Sequence, residues 1–392
     1  MPDATSLPAL FESPCPSPDL DGSVGLNRVK GGHKQIAADT DADALKGFLA
    51  RYVATKTTFE NYRKEVERLY LWAVFQLHRP ISSLTHEDML TYERFMADPQ
   101  PTDRWVSDSR QRLPRGHAGW RPFQGPLSPT SRRQAMVILN VMFGWLVSAG
   151  YLAGNPLSLS RQRQRKAKPR ITRYLDPSLW AEVKQYIDRM PRESDRERTH
   201  YHRNRWLFTL LYLGGLRISE VGENTMGAFF CRRDRDGEER WWLEVLGKGE
   251  KTRLVPATSE MMTELARYRR ECGLSPYPSP GEATPLVRPI GKTMKSMTRA
   301  ALHNIDKTVF EKAAVELRLR GPEFAGRAEQ LSRASAHWLR HTAGSHMADG
   351  NLDLRHVRDN LGHESLKTTS QYLHSDDDQR HKDTERRHRI NW

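Results

Sequence analysis

From residue 40 onward, apolar and polar positions alternate along the chain with a helical period. Leu45, Phe48, Leu49, Tyr52 and Val53 recur at i, i+3, i+4, i+7 and i+8, which predicts one apolar stripe along a helix over 40–55. Thr57 followed by Glu60 has capping-box spacing and opens a second helix that carries Tyr62, Val66, Leu69 and Trp72. Thr85 with Asp88 starts a shorter third helix that reaches Met96. Ser128 before Pro129 has the N-cap and first-turn preferences of a fourth, running through Val137, Leu139, Phe143 and Leu146 to Gly150. Four helices with short connections predict a small helical domain over 36–157. Ahead of it, residues 1–35 carry Pro, Ser, Gly and Asp with no helical or strand period and read as a mobile tail.

One long loop interrupts the helical domain. Residues 99–127 hold Trp105, Trp120 and five arginines: Arg104, Arg110, Arg112, Arg115 and Arg121. A structureless loop of this length in a compact domain is usually functional or disordered. Arginines interleaved with aromatic rings could lie along nucleic acid; a solvated excursion fits the same composition.

The pattern changes after residue 176. Helices are expected at 177–190 and 201–213. Residues 229–230, 241–246 and 253–255 read as short strands joined by the turns DRDGEER and GKGEK. Helices resume at 258–272 and between 295 and 320. The fold class is therefore mainly α with a small β-sheet (α+β), a second domain spanning 174–392.

Composition adds a partner to this outline. The 392 residues are enough for two separate cores. No run of eighteen apolar residues suggests a membrane span, and the Pro-rich, acidic start lacks the features of a signal peptide. Cys15, Cys231 and Cys272 are scattered without disulfide or zinc-site spacing, so no structural metal is expected. These features suggest a cytoplasmic protein, nucleoid-associated when bound to DNA. The formal net charge of +14 makes a polyanion the first partner to consider. Half of that excess sits in one linker, 158–173. Its run RQRQRKAKPRITR carries Arg161, Arg163, Arg165, Lys166, Lys168 and Arg170, with Arg173 closing it, and no acid. A basic linker between two domains can follow a phosphate backbone, or it can be a solubilising hinge; the segments beyond it favour DNA.

Five of those segments concentrate Arg, Lys, His and Tyr. Arg217 follows a Gly-Gly pair in LGGLRISEVGEN. Lys248 sits at the tip of a Gly-flanked hairpin in LGKGEKTRLVPA. His337 and Arg340 share a helical face in HWLRH, His363 follows a glycine in LGHES, and Tyr372 lies in SQYLH. Two guanidiniums can grip a phosphodiester through paired hydrogen bonds. A hairpin lysine can protonate a departing alkoxide, and histidines can take a proton or bind developing negative charge. A tyrosine phenol, activated by neighbouring arginines, can attack phosphorus. Together these types would cut a DNA strand by transesterification and conserve the bond energy as a phosphotyrosine, with no need for ATP or a metal. Each segment taken singly has an ordinary structural reading; their joint order and spacing do not.

In that order and at those intervals the segments resemble the tyrosine recombinase (phage integrase) family. The match runs through Gly215, Leu216, Arg217, Ser219 and Glu220, then Gly247, Lys248, Gly249, Lys251, Arg253, Val255 and Pro256, and on through His337–His341 and 361–374. The resemblance is strong over 175–378 and compatible over 40–155, where it implies a helical core-binding domain ahead of the catalytic domain. It implies catalytic roles for Arg217, Lys248, His337, Arg340, His363 and Tyr372 and needs no cofactor. Lys251 and Arg253 read as phosphate contacts, and His341 as local packing or hydrogen bonding. Two stretches depart from the family's compact members, the 99–127 loop and 313–332. The implied activity is site-specific recombination of double-stranded DNA through a Holliday junction by a homotetramer on two DNA sites; the acidic N-terminal tail and the Arg/Trp loop hint at integration or excision of a mobile element as its setting. A type IB topoisomerase and a non-catalytic DNA-binding protein of the same fold are the alternatives. A carboxylate transposase is disfavoured because no acidic triad is apparent.

Overall fold

The computed structural model describes residues 17–31, 34–109, 113–160, 173–247, 251–291 and 295–369. It divides into two compact units, Met1–Arg165 and Lys166–Trp392. No helix among the described residues is long and apolar enough to cross a membrane.

The first unit is helical: α1 (Asp41–Ala50), α2 (Lys56–Phe75), α3 (His86–Ala97), the single turn α4 (Thr102–Trp105) and α5 (Pro129–Ser148). Thr40 caps α1 by accepting the Asp43 N–H, and Leu45, Phe48 and Leu49 of the expected stripe are buried. The stripe ends early: the helix stops at Ala50 and Val53 is exposed. The second helix also starts earlier than its apparent box, with Thr55 at the N-cap rather than Thr57. The Thr85–Asp88 capping box forms as the spacing predicts, and Ser128 caps α5 with Pro129 in its first turn. Phe48, Trp72, Tyr92, Met96 and Phe143 share one core.

Two expectations for this unit are corrected. The described part of 99–127 is packed against the domain and is not a solvated excursion. Trp105 is fully buried, its Nε1 donates to Gln76 Oε1 at 3.2 Å, and its ring meets Phe95 edge-on at 5.1 Å. Arg115 pairs with buried Glu67 at 2.7 Å, and Arg121 donates to the carbonyls of Asp103, Ala118 and Trp120. These three side chains face the protein; Arg110 and Arg112 lie outside the described residues. The segment 17–31, read as part of a mobile tail, is also held in place. Buried Asp41 accepts the Ser82 N–H at 3.0 Å and the Tyr151 hydroxyl at 2.8 Å, while its own N–H donates to Asp21 O at 2.7 Å. Ser82 Oγ donates to Gly22 O, and Arg28 lies 3.9 Å over the Tyr151 ring.

The second unit begins with α6 (Pro177–Asp188), α7 (Asp195–Leu213) and the short α8 (Ile218–Glu223). α7 starts at a Ser194–Glu197 capping box, earlier than its apolar residues suggest. A three-stranded antiparallel sheet follows, in the order β1 (Phe229–Arg233), β2 (Glu239–Leu246), β3 (Thr252–Ala257). Its register sets Phe229 opposite Leu243 and Leu243 opposite Val255, so one face feeds the core. Then come α9 (Ser259–Glu271), α10 (Arg299–Arg318), α11 (Ala325–Ser332), α12 (Ala336–Asp349), α13 (Leu354–Leu361) and the turn α14 (Leu366–Thr369). The 313–332 departure is the end of α10 plus α11, whose Ala328 and Leu331 join the core.

Burial of Trp105 fixes the loop to the helical unit. Trp105→Ala is therefore expected to cost about 3–5 kcal/mol, the range for truncating a buried large aromatic. Denaturant unfolding followed by far-UV circular dichroism measures this; an unchanged midpoint would show that the loop is not held by that ring.

Candidate active site

α7 ends in a turn that only glycine suits. Gly215 has φ +55°, and a Cβ there would come within 2.6 Å of Leu361 Cδ2. The turn delivers Arg217 to the N-cap of α8, where it meets Glu220 one helical turn on. The Arg217 N–H donates to Glu220 Oε2 and its Nη1 to Oε1, both at 2.8 Å. From β3, Arg253 grips the same carboxylate on both oxygens, Nη1 to Oε1 at 2.8 Å and Nη2 to Oε2 at 2.7 Å. Burial alone would push the Glu220 pKa up. The hydrogen bonds and charge of Arg253, with the N–H and side chain of Arg217, outweigh it and hold the group down at about 2.

Arg340 is the second anchor. Its buried guanidinium donates to the carbonyls of Gly215 and Leu361, tying α12 to the glycine turn and to the end of α13. The start of α12 is held in turn by fully buried Asp306 of α10, whose Oδ2 accepts the Ala336 N–H. One turn before Arg340, His337 is exposed and its Nε2 lies 3.0 Å from His341 Nε2. One of the two rings must offer a proton and the other a lone pair. α13 ends at Gly362 in the left-handed region (φ +60°), where a Cβ would meet the Arg253 side chain at 2.7 Å. His363 follows it, with Nδ1 3.2 Å from the hydroxyl of buried Thr369.

The electrostatics of the cluster keep its histidines neutral. Desolvation, then the charges of Arg340, Arg217 and Arg173, push His337 below its ordinary range. Burial, then His337, Arg340 and His363, take His341 down to about 4. Burial, then Arg340, Arg217 and Arg253, take His363 down to about 4. Arginine cannot shed its proton, so the imidazoles do. The result is a site of fixed guanidinium charge with neutral imidazoles at pH 7, able both to bind a phosphodiester and to accept a proton.

Of the residues singled out in the sequence, Arg217, His337, Arg340 and His363 come together here with Arg253. Lys251 lies at the β2–β3 end in an exposed ion pair with Glu364 at 2.9 Å. Lys248 and Tyr372, and the linker residues Arg161, Arg163, Arg165, Lys166, Lys168 and Arg170, lie outside the described residues. Arg253 departs from its expected part as a phosphate contact. Its side chain is 11% exposed, and all three guanidinium nitrogens are taken up, two by Glu220 and Nε by Asn360 O at 3.1 Å. Glu220 had no assigned role, although its position three residues after Arg217 is the visible signal of an N-terminal capping contact. His341, read as packing or hydrogen bonding, hydrogen-bonds with His337.

The sequence profile of the Phage integrase family matches residues 181–379. The chain is 26% identical over 343 residues to tyrosine recombinase XerC of Xanthomonas campestris pv. campestris (strain B100), covering 86% of each. It is 30% identical over 246 residues to tyrosine recombinase XerD of Neisseria meningitidis serogroup B, covering 62% of this chain and 72% of that one. In fold it is similar to the XerH site-specific recombinase bound to palindromic difH substrate, with a TM-score of 0.57 at 16% identity over 86% of this chain and 82% of that one. The Tn1549 transposon integrase bound to transposon right end DNA aligns with a TM-score of 0.54 at 16% identity, over 88% of this chain and 98% of that one. The architecture is thus that of tyrosine recombinases, mostly helical with a small antiparallel sheet. The chain belongs to the phage integrase family.

Two measurements probe this arrangement. Glu220→Ala would leave Arg217 and Arg253 without their shared carboxylate, and a loss of about 3 kcal/mol in unfolding free energy is expected, as for a buried pair stripped of one partner; a loss under about 1 kcal/mol would contradict it. The second is a titration. An unfolded histidine takes up a proton below about 6.5, whereas folded His341 and His363 do so only near 4. Their contribution to stability is therefore present above about 6.5 and is lost as pH falls toward 4. Imidazole resonances of the two rings titrating near 6.5 in the folded protein would rule this out.

Proposed function

We propose that the chain is a site-specific recombinase that cuts and rejoins duplex DNA through a 3′-phosphotyrosine intermediate and a Holliday junction. The observation that carries this reading is the convergence of Arg217, Arg340, His337 and His363, from three separated segments, on one cluster of fixed positive charge with neutral imidazoles. Lys248 and Tyr372 enter through the sequence motifs that complete the family's set.

In this mechanism the Tyr372 hydroxyl attacks the scissile phosphorus and passes its proton to His337, whose depressed pKa suits a base at neutral pH. Arg217 and Arg340 stabilise the charge that builds on the nonbridging oxygens, and His363 adds a hydrogen bond. The P–O5′ bond breaks, and the 5′-oxygen leaves with a proton from Lys248. The 5′-hydroxyl of a partner strand then attacks the phosphotyrosine and frees the phenol, so every bond broken is replaced and neither ATP nor metal enters. A homotetramer would hold two DNA sites, the basic run 161–173 following the phosphate backbone. The mobile-element setting leaned in part on the Arg/Trp loop. With Trp105 buried and Arg115 and Arg121 bonded within the protein, that part of its support is gone.

Tyr372→Phe is expected to abolish the covalent protein–DNA adduct on a nicked suicide substrate while leaving site binding within about threefold of the parent. The parent's adduct should form equally in excess chelator. An adduct that persists in the Phe variant would overturn the nucleophile assignment, and junctions absent from a two-site reaction that still relaxes supercoils would favour the topoisomerase reading.

A further inference from the structure

A second group of cationic and polar side chains lies in the catalytic unit, on α6, α7 and α10, and the chemistry above does not use it. Arg203 of α7 is 8% exposed, yet no carboxylate pairs with it among the described residues. Its Nη2 contacts His200 Nδ1 at 3.3 Å, which requires His200 to be neutral and accept. Burial, then the charges of Arg203, Arg196 and Lys312, push the His200 pKa down, consistent with that state. Among the described residues Arg203 Nε has no hydrogen-bond partner, and neither has Oδ1 of Asn204, which is 6% exposed. The Asn204 amide nitrogen donates to Met190 Sδ at 3.5 Å, a weak contact.

Both residues line one cavity of about 440 Å³. Lys312 of α10 also lines it, and Tyr186 and Val309 supply apolar surface. The acid on the wall, Glu197, is engaged by the Ser194 N–H at 2.9 Å in the α7 capping box. Buried polar groups are nearly always satisfied, and a buried guanidinium with no counter-charge is especially costly. Arg203 stays protonated despite the burial, so the cavity lacks an anion, not a proton. The volume is that of a small-molecule site.

We propose that this cavity binds a small organic anion, with a carboxylate or phosphate-monoester head on Arg203 and Lys312, a hydrogen bond donated by the Asn204 amide nitrogen and an apolar body against Tyr186 and Val309. The site is separate from the recombination cluster: Arg203 lies about 15 Å of helix before the end of α7 at 1.5 Å per residue.

Isothermal titration of the full chain with benzoate and with phenyl phosphate distinguishes the two heads. At least one probe is expected to bind one-to-one, about tenfold more weakly in Arg203→Gln and about threefold more weakly in Lys312→Gln. Lys312 is exposed, so its variant tests the site even where Arg203→Gln fails to fold. Affinity should be unchanged in Arg217→Gln, which cripples phosphate capture at the recombination cluster. Binding lost in Arg217→Gln but intact in Lys312→Gln would place the anion in that cluster and overturn the proposal. So would the absence of binding by either probe at millimolar concentration.

Discussion

A single carboxylate holds the cluster of Arg217, Arg253, Arg340 and their neighbouring histidines in register. Arg217 arrives from the end of α7 and Arg253 from β3, and like-charged guanidiniums this close would repel one another in a poorly solvated site. Glu220, 4% exposed, accepts from both and stays ionised because they surround it. The pair is asymmetric in exposure: the Arg253 side chain is 11% exposed and Arg217 39%. Arg253 is thereby spent on structure, and Arg217 is aimed outward with its base fixed. A guanidinium held in one orientation before a phosphate arrives loses little freedom when it binds, which is what preorganised charge requires.

The second constraint is backbone geometry. Arg340 donates to the carbonyls of Gly215 and Leu361, so it sees the glycine turn and the end of α13 at once. Those elements approach this closely because residue 215 lacks a Cβ that would strike Leu361, and because Gly362 leaves room for the Arg253 side chain. The two glycines and the two buried arginines therefore make one arrangement. Moving any of them shifts the loop that carries His363. Asp306 adds a further support from α10 by fixing the first turn of α12, which bears His337, Arg340 and His341.

These features differ in how far the amino-acid sequence discloses them. The Thr85–Asp88 box and the Ser128–Pro129 start are local rules, satisfied within one helical turn, and both were legible. Thr57–Glu60 obeys the same rule yet loses to Thr55, because helix starts are set by how the whole stripe packs as well as by the cap. The 17–31 segment has the composition of a tail and is nonetheless ordered by Asp41, whose partners Ser82 and Tyr151 are 41 and 110 residues away. Trp105 and Arg115 present the same difficulty: an Arg/Trp loop reads as a nucleic-acid surface until the Gln76 and Glu67 that receive it are placed beside it. In the site, the grouping of Arg217, His337, Arg340 and His363 is legible from motifs of fixed residue types at fixed intervals, and the fold brings those four side chains together. Arg253 was read as a phosphate contact since nothing in its own segment shows that Glu220, 33 residues earlier, would claim it.

Charge in this protein therefore has two distinct physical uses. The run 161–173 carries seven positive side chains with no acid among them, a distribution suited to long-range, salt-sensitive attraction. The cluster in the second unit works differently. Its guanidiniums are individually placed, Arg253 and Arg340 buried and bonded and Arg217 held at its base, and together with burial they keep three imidazoles unprotonated at neutral pH. A phosphodiester entering among Arg217, Arg340 and His363 would reverse that bias, because its negative charge offsets the arginines and raises the imidazole pKa values. Proton affinity at the histidines would then rise only once the scissile phosphate is seated. The proton acceptor would be strengthened by the substrate it serves, so base strength and correct binding would be coupled through one local electrostatic field.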